Sequence, residues 1–227
     1  MNSATIIYVS SNMERPEFEE RIRNNILEVC GGLPIISVTQ RPIDFGKNIC
    51  IGDDVGVSGF NMFRQVQIGC QEATTDFVIS AESDCVYPPD YFSWVPERQD
   101  LCYRNSNLYV MPQHRAWFWL KAEGATHSQI IGREFYLERL NKLFKGAPDW
   151  DREVKEKNFP KERWKEEDIF PPAQIAYYQT ENPVVQIKTS QSMRHFTHSD
   201  RIDRHEIPYW GTGREFRRKF YDIGYRH

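Results

Sequence analysis

What most limits this chain is the alternation, in its first 84 residues, of short apolar runs with amphipathic helical segments. Thr5 to Ser10 (TIIYVS) is apolar and β-branched throughout, as expected of a strand buried on both faces. Pro16 then suits a helix start, where its missing N–H is no loss. Phe18, Ile22, Ile26 and Val29 recur at helical spacing, and Gly31 can end the helix in the left-handed conformation. Leu33 to Thr39 reads as a second strand, Asn48 to Gly52 as a third, and Asp76 to Ser80 as a fourth. Between the last two, a helix over 58–73 has Phe63, Val66 and Cys70 on one face. Strand–helix–strand units of this length build a mostly parallel, Rossmann-like α/β sheet with right-handed crossovers.

Ligands of such sheets bind beyond the carboxyl ends of the strands. That rule singles out Ser10, Ser11 and Asn12 after the first strand, Gln40 and Arg41 after the second, and Glu82-Ser83-Asp84 after the fourth. Two carboxylates at i and i+2, separated by a small residue, can point the same way from a strand end. They make a hard-oxygen site suited to Mg²⁺ or Mn²⁺, and such an ion can bridge the phosphates of a nucleoside diphosphate. Acid-x-acid is also a common surface pattern, so its position after the strand carries the argument. No G-x-G-x-x-G follows the first strand and no G-x-x-x-x-G-K-[ST] occurs, which disfavours a classical dinucleotide enzyme or a P-loop NTPase.

The totals narrow the class further. With 227 residues the chain can form one large α/β domain. Its net charge of −3 argues against a dedicated nucleic-acid grip. The charge is uneven, however: residues 194–227 hold eight Lys or Arg against five acids and four of the six histidines. The five cysteines form no C-x-x-C pair and fit buried thiols in a reducing compartment. The N-terminus lacks a secretory pattern and no run reaches membrane-spanning length, so a cytoplasmic protein without a membrane partner is expected.

The second half is less regular. Asn107 to Met111 and the aromatic Arg115 to Leu120 (RAWFWL) read as strands, Gln129 to Phe144 as a helix, and Val184 to Lys188 as a strand. A short helix is expected after Pro171 and Pro172. Lys145 to Asp168, charged and without apolar periodicity, reads as a loop or lid. Trp117, Trp119 and Trp210 could form a sugar or acceptor platform, or simply pack in the core. Alternation would put Trp117 and Trp119 on one face and Phe118 on the other.

The segment Arg64 to Asp84 (RQVQIGCQEATTDFVISAESD) resembles the core of family 2-like, GT-A-fold nucleotide-sugar glycosyltransferases. Arg64 stands at the family's helix arginine, Ala73 at its helix-ending alanine, and Glu82 and Asp84 at the two acids of its D-x-D motif. Glu82 departs from the usual aspartate. Ser10, Ser11 and Asn12 look like the family's nucleotide-contacting loop, while Gln40 and Arg41 replace its frequent acid and leave the base open. Gly124-Ala125 looks like the start of the acceptor-side segment. Glu167-Asp168 looks like the family's E-D motif, whose acid deprotonates the acceptor in inverting members; Asp168 is the expected base, with Glu167 behind it. His195 and His198 occupy the region where many such enzymes place a metal-binding histidine.

The resemblance implies one GT-A-like domain over 1–227: a donor half (1–112), an acceptor half (113–193) and a basic, His-rich tail (194–227) closing over the donor. It implies a metal-dependent, inverting transferase with a nucleotide-sugar donor, UDP-sugar foremost, and Mn²⁺ or Mg²⁺. The acceptor would be a saccharide or a hydroxyl on nucleic acid such as a hydroxymethylated DNA base. Two rivals stand beside it. A nucleotidyltransferase would want a Gly- and Lys-rich phosphate loop that the SSNMERP turn lacks, and a non-catalytic binding module of the same fold is kept in view by Glu82.

Overall fold

A computed structural model describes residues 3–151, 169–192, 200 and 202–222. In chain order come β1 (Ala4–Ser10), α1 (Pro16–Val29), β2 (Ile35–Thr39), β3 (Lys47–Cys50), α2 (Gly59–Glu72), β4 (Phe77–Glu82), β5 (Cys85–Val86) and α3 (Pro89–Ser93). They are followed by β6 (Cys102–Asn105), β7 (Leu108–Pro112), β8 (Trp119–Leu120), β9 (Gln129–Gly132) and α4 (Arg133–Leu143). After a 3₁₀ turn at Pro172–Gln174 come β10 (Ile175–Tyr178), β11 (Val184–Lys188), β12 (Glu206–Ile207), β13 (Gly211–Thr212) and α5 (Gly213–Phe220).

The central sheet has the order β10-β6-β9-β4-β1-β2-β3. β4, β1, β2 and β3 pair in parallel, whereas β9 is antiparallel to both its neighbours, β4 and β6. The fold is therefore α/β with a mostly parallel seven-stranded sheet. All seven residues of β1 are buried. Its side chains alternate between two cores: Ile6 and Tyr8 join Phe18, Ile22 and Ile26 of α1, and Ile7 and Val9 join Phe60, Phe63 and Val66 of α2. A second sheet, β5-β11-β7-β8, contributes Leu108, Val184 and Ile187 to the α1 side. Helix α2 rides close over β1 because Gly69 has no side chain: a Cβ there would lie 2.5 Å from Ile7 Cγ2.

Several expectations need correction. Gln129 to Gly132 is not the first turn of a helix but strand β9, and the helix begins only at Arg133. Its four buried residues fill the gap between β4 and β6, a tertiary demand that the adjoining helical periodicity conceals. The aromatic RAWFWL stretch is strand only at Trp119 and Leu120, with Phe118 bridged to Arg204. Phe118 is buried while Trp117 and Trp119 are partly exposed, as alternation requires. β6 and β10 had no clear sequence signal. None of the five cysteines is in a disulfide, and Cys50, on edge strand β3, is exposed rather than buried. Among the described residues no helix is long and apolar enough to cross a membrane. Most of the charged 145–168 stretch lies outside the described residues.

Candidate functional site

The carboxyl ends of β1, β2 and β4 open into a cavity of about 320 Å³. One wall carries Ser10, Ser11, Gln40 and the turn leading into α2. The floor is Glu82, Ser83 and Asp84, and the facing wall carries Arg104, Lys121 and Gly124 to His127. Gln186 and Lys188 from β11 complete it, with Gln191 and Ser192 beyond.

The first wall is held by side chains that tie strand ends together. Gln65 of α2 donates from Nε2 to the carbonyls of Ser10 (2.9 Å) and Val38 (2.8 Å). Gln40 Nε2 donates to the Gly56 carbonyl at 2.6 Å, and Asn61 Nδ2 to that of Val55 at 2.8 Å, which fastens the turn before α2. Ser58 caps α2 by accepting from the Asn61 N–H. Ser10 Oγ donates to the buried Glu19 carboxylate at 2.9 Å and accepts from the Asn12 N–H.

Asn12 sits at φ 54°, donates to Glu19, and accepts from the Arg41 N–H at 2.8 Å. It thus braces the β1 and β2 ends rather than lining the cavity. Arg41 points away and approaches Asp53 at 3.8 Å in solvent. Burial raises the pKa of Glu19, while Ser10, Arg23 and Asn12 oppose that rise.

The floor is equally constrained. Asp84 Oδ2 accepts from Gln186 Nε2 at 3.0 Å and lies 3.4 Å from Ser192 Oγ; Cys85 Sγ donates to Oδ1 at 3.2 Å. The Glu82 N–H donates to Tyr87 Oη at 3.0 Å, and that hydroxyl donates to the His127 carbonyl at 2.9 Å. A single buried tyrosine therefore pins the floor to the facing wall. Thr126 Oγ1 lies 3.5 Å from Glu82 Oε1. Gly124 turns the chain at φ 68°, where a Cβ would meet Arg104 Cβ at 2.9 Å.

Glu14, which lines the cavity along with Glu82, Asp84 and Glu123, is bonded by the Thr189 hydroxyl. Burial pushes its pKa up to about 7, and the nearby Asp84 and Glu19 add to the rise. Neither Glu14 nor His127 was singled out from sequence; neither sits in a motif, and only folding brings them to this cavity.

The remaining expected residues lie elsewhere. The Arg64 guanidinium stacks 3.9 Å from the Phe144 ring centroid and donates to the Pro148 carbonyl at 2.7 Å, so it braces α2 against the end of α4. Trp210 Nε1 donates to the Pro183 carbonyl and its ring packs on Phe216 and Phe220. Trp119 Nε1 donates to Asp203, and Trp117 meets Arg115 and His205. None of these four lines the cavity. Glu167, Asp168, His195 and His198 lie outside the described residues.

The oxygens of Glu82 and Asp84 suit a hard divalent cation. Among the described residues, however, no group of three or more His, Cys, Asp or Glu stands together as a metal site. Two carboxylates alone fit an ion that takes its remaining ligands from phosphate oxygens and water, which is how Mg²⁺ is commonly held.

No protein-family model and no curated protein matches the sequence. Among the solved structures similar to it are glycosyltransferases. One is involved in glycosylation of the major capsid of PBCV-1; it is 14% identical with a TM-score of 0.49, over 81% of this chain and 92% of that one. S. aureus TarS 1–349 in complex with UDP-GlcNAc is 10% identical with a TM-score of 0.45, over 88% of this chain and 62% of that one. The apo form of GlyE from Streptococcus pneumoniae TIGR4 is 12% identical with a TM-score of 0.46, over 79% of this chain and 46% of that one. The chain thus spans less than two thirds of these two bacterial structures. At such distances the functional reading rests on the chemistry of the cavity.

Proposed function

We propose that the chain is a glycosyltransferase that moves a sugar from a nucleoside-diphosphate donor to a hydroxyl. One observation carries this reading: a single cavity joins Ser10, Ser11 and Gln40 to the Glu82-Ser83-Asp84 floor and to the Gly124-Ala125 wall. In the reading, the nucleotide occupies the first wall, the diphosphate lies over the floor, and the sugar faces Gly124 to His127. Arg104, Lys121 and Lys188 line the same cavity, and their positive charge would favour a bound diphosphate.

The finer steps belong to the same proposal. Glu82 and Asp84 would hold Mg²⁺ or Mn²⁺ together with phosphate oxygens, and that ion would supply charge to the leaving diphosphate. Asp168, with Glu167 behind it, accepts the acceptor's hydroxyl proton. The hydroxyl oxygen then attacks the anomeric carbon as its bond to the diphosphate breaks, with inversion. His195 or His198 would be a further ligand in this scheme. In the same scheme residues 194–227 would close over the donor, and the acceptor would be a saccharide or a hydroxylated base in DNA.

The test is thermal stabilisation by UDP, GDP, CDP and dTDP, each with and without Mn²⁺ or Mg²⁺, in wild type and Asp84→Asn. A ligand bound only by the folded state raises the melting temperature. Metal-dependent stabilisation by one nucleotide, lost in Asp84→Asn, is the expected result. No shift with any nucleotide refutes the reading. A shift without transfer to any acceptor would favour the non-catalytic module.

A further inference from the structure

Two buried polar atoms on uncharged, described residues lining this cavity have no hydrogen-bond partner: His127 Nε2 and Gln186 Oε1. Their residues are 3% and 4% exposed. Buried polar groups are paired in the great majority of cases, so two on one cavity call for a partner that arrives with a ligand.

Both are also held in place. Gln186 commits its amide N–H to Asp84 Oδ2 at 3.0 Å, which leaves Oε1 as an acceptor. His127 is anchored through its own carbonyl by Tyr87, and its neighbour Thr126 lies 3.5 Å from Glu82. The two residues thus flank the two floor carboxylates, Gln186 from β11 and His127 from the turn before β9.

The chemistry of the pair selects the ligand group. Burial, with Lys121 and Lys188 nearby, pushes the His127 pKa well below its ordinary value, so the imidazole is neutral. A neutral imidazole nitrogen and an amide oxygen suit a hydroxyl, which both donates and accepts. The positive charge an anion needs is carried by the neighbouring Lys121 and Lys188, whereas the imidazole nitrogen and the amide oxygen bring none of their own.

We infer that His127 and Gln186 form a hydroxyl-recognition subsite for the sugar being transferred, next to the Glu82–Asp84 floor. This rests on the glycosyltransferase reading. A site built to bond a hydroxyl discriminates strongly against the analogue that lacks it, because its own polar groups are then left unpaired.

The experiment measures affinities of UDP, GDP, CDP and dTDP and of their hexose conjugates for wild type, His127→Leu and His127→Gln. His127→Leu should weaken the favoured conjugate by at least about tenfold while the parent nucleotide changes by less than about twofold; His127→Gln should recover part of the loss. In wild type, deletion of one sugar hydroxyl should produce a similar loss, and that loss should vanish in His127→Leu. This second measurement uses wild-type protein, so a poorly folding variant does not shelter the proposal. Equal loss of nucleotide and conjugate, or no deoxy analogue that wild type discriminates, overturns the subsite alone. Wild type that binds none of the nucleotides overturns the functional reading with it.

Discussion

Tyr87→Phe is the substitution that bears most directly on how the floor of the cavity is joined to its facing wall. The tyrosine is 0% exposed, and its hydroxyl is the only part that phenylalanine lacks. Phe preserves the stacking on Tyr91 (4.9 Å between centroids) and the contact with Phe92 (5.3 Å). What is lost is the acceptor for the Glu82 N–H and the donor to the His127 carbonyl. An unpaired buried polar group costs about 1–3 kcal/mol, so two of them, partly offset by relaxation, cost roughly 2–4 kcal/mol. For a domain of this size that corresponds to a fall in Tm of roughly 4–16 °C. Urea unfolding checks it: the midpoint should drop with an unchanged slope, because the core is not repacked. The affinity of the sugar conjugate should weaken as well, since His127 and Glu82 lose their common anchor. A destabilisation below about 0.5 kcal/mol would refute the claim that this hydroxyl bridges floor and wall.

Other substitutions test separate parts of the site. Gly124→Ala places a Cβ at positive φ and 2.9 Å from Arg104 Cβ, and should destabilise by about 1–3 kcal/mol in a chemical melt. Arg64→Ala should leave nucleotide affinity unchanged while lowering stability by about 1–2 kcal/mol, because its guanidinium serves Phe144 and Pro148 rather than the cavity. Glu14 has a folded pKa of about 7 against an ordinary carboxylate value of 4.5. The folded state therefore keeps a proton that the unfolded state has lost, and stability falls as pH rises from 4.5 towards 7. Glu14→Gln, compared with wild type in the presence of a chelator, should be neutral at acid pH and more stable by about 1–2 kcal/mol at pH 8, after discounting for the partial exposure of the group. Equal stability differences at both pH values would contradict this.

Much of the first half of the chain is legible because it is locally encoded. A run such as TIIYVS can be buried on both faces only in the middle of a sheet, and β1 lies between β4 and β2. Pro16 opens α1 and Gly31 follows it at φ 61°, as their backbone preferences require. One rule, that ligands meet the carboxyl ends of parallel strands, singles out Ser10, Gln40, Glu82 and Asp84, and all four line the cavity at those ends. Arg64 shows the limit of pattern: on a helix, neighbours decide whether an arginine meets a ligand or a ring. The aromatic residues show it again, because a Trp in sequence is equally suited to a platform or to a core, and Trp210 is fixed by Pro183 and Phe216.

The sequence by itself determined the alternating strands and helices of the first half, the parallel sheet, and the two acids at the end of β4, since each follows from the spacing of neighbouring residues. Only the tertiary structure decided that Gln129 to Gly132 is an antiparallel strand, because that depends on the gap between β4 and β6. It alone brought Glu14, His127 and Gln186 to one cavity. Residues so far apart in the chain meet only through strand order, and strand order is set by which apolar faces bury one another rather than by any local signal.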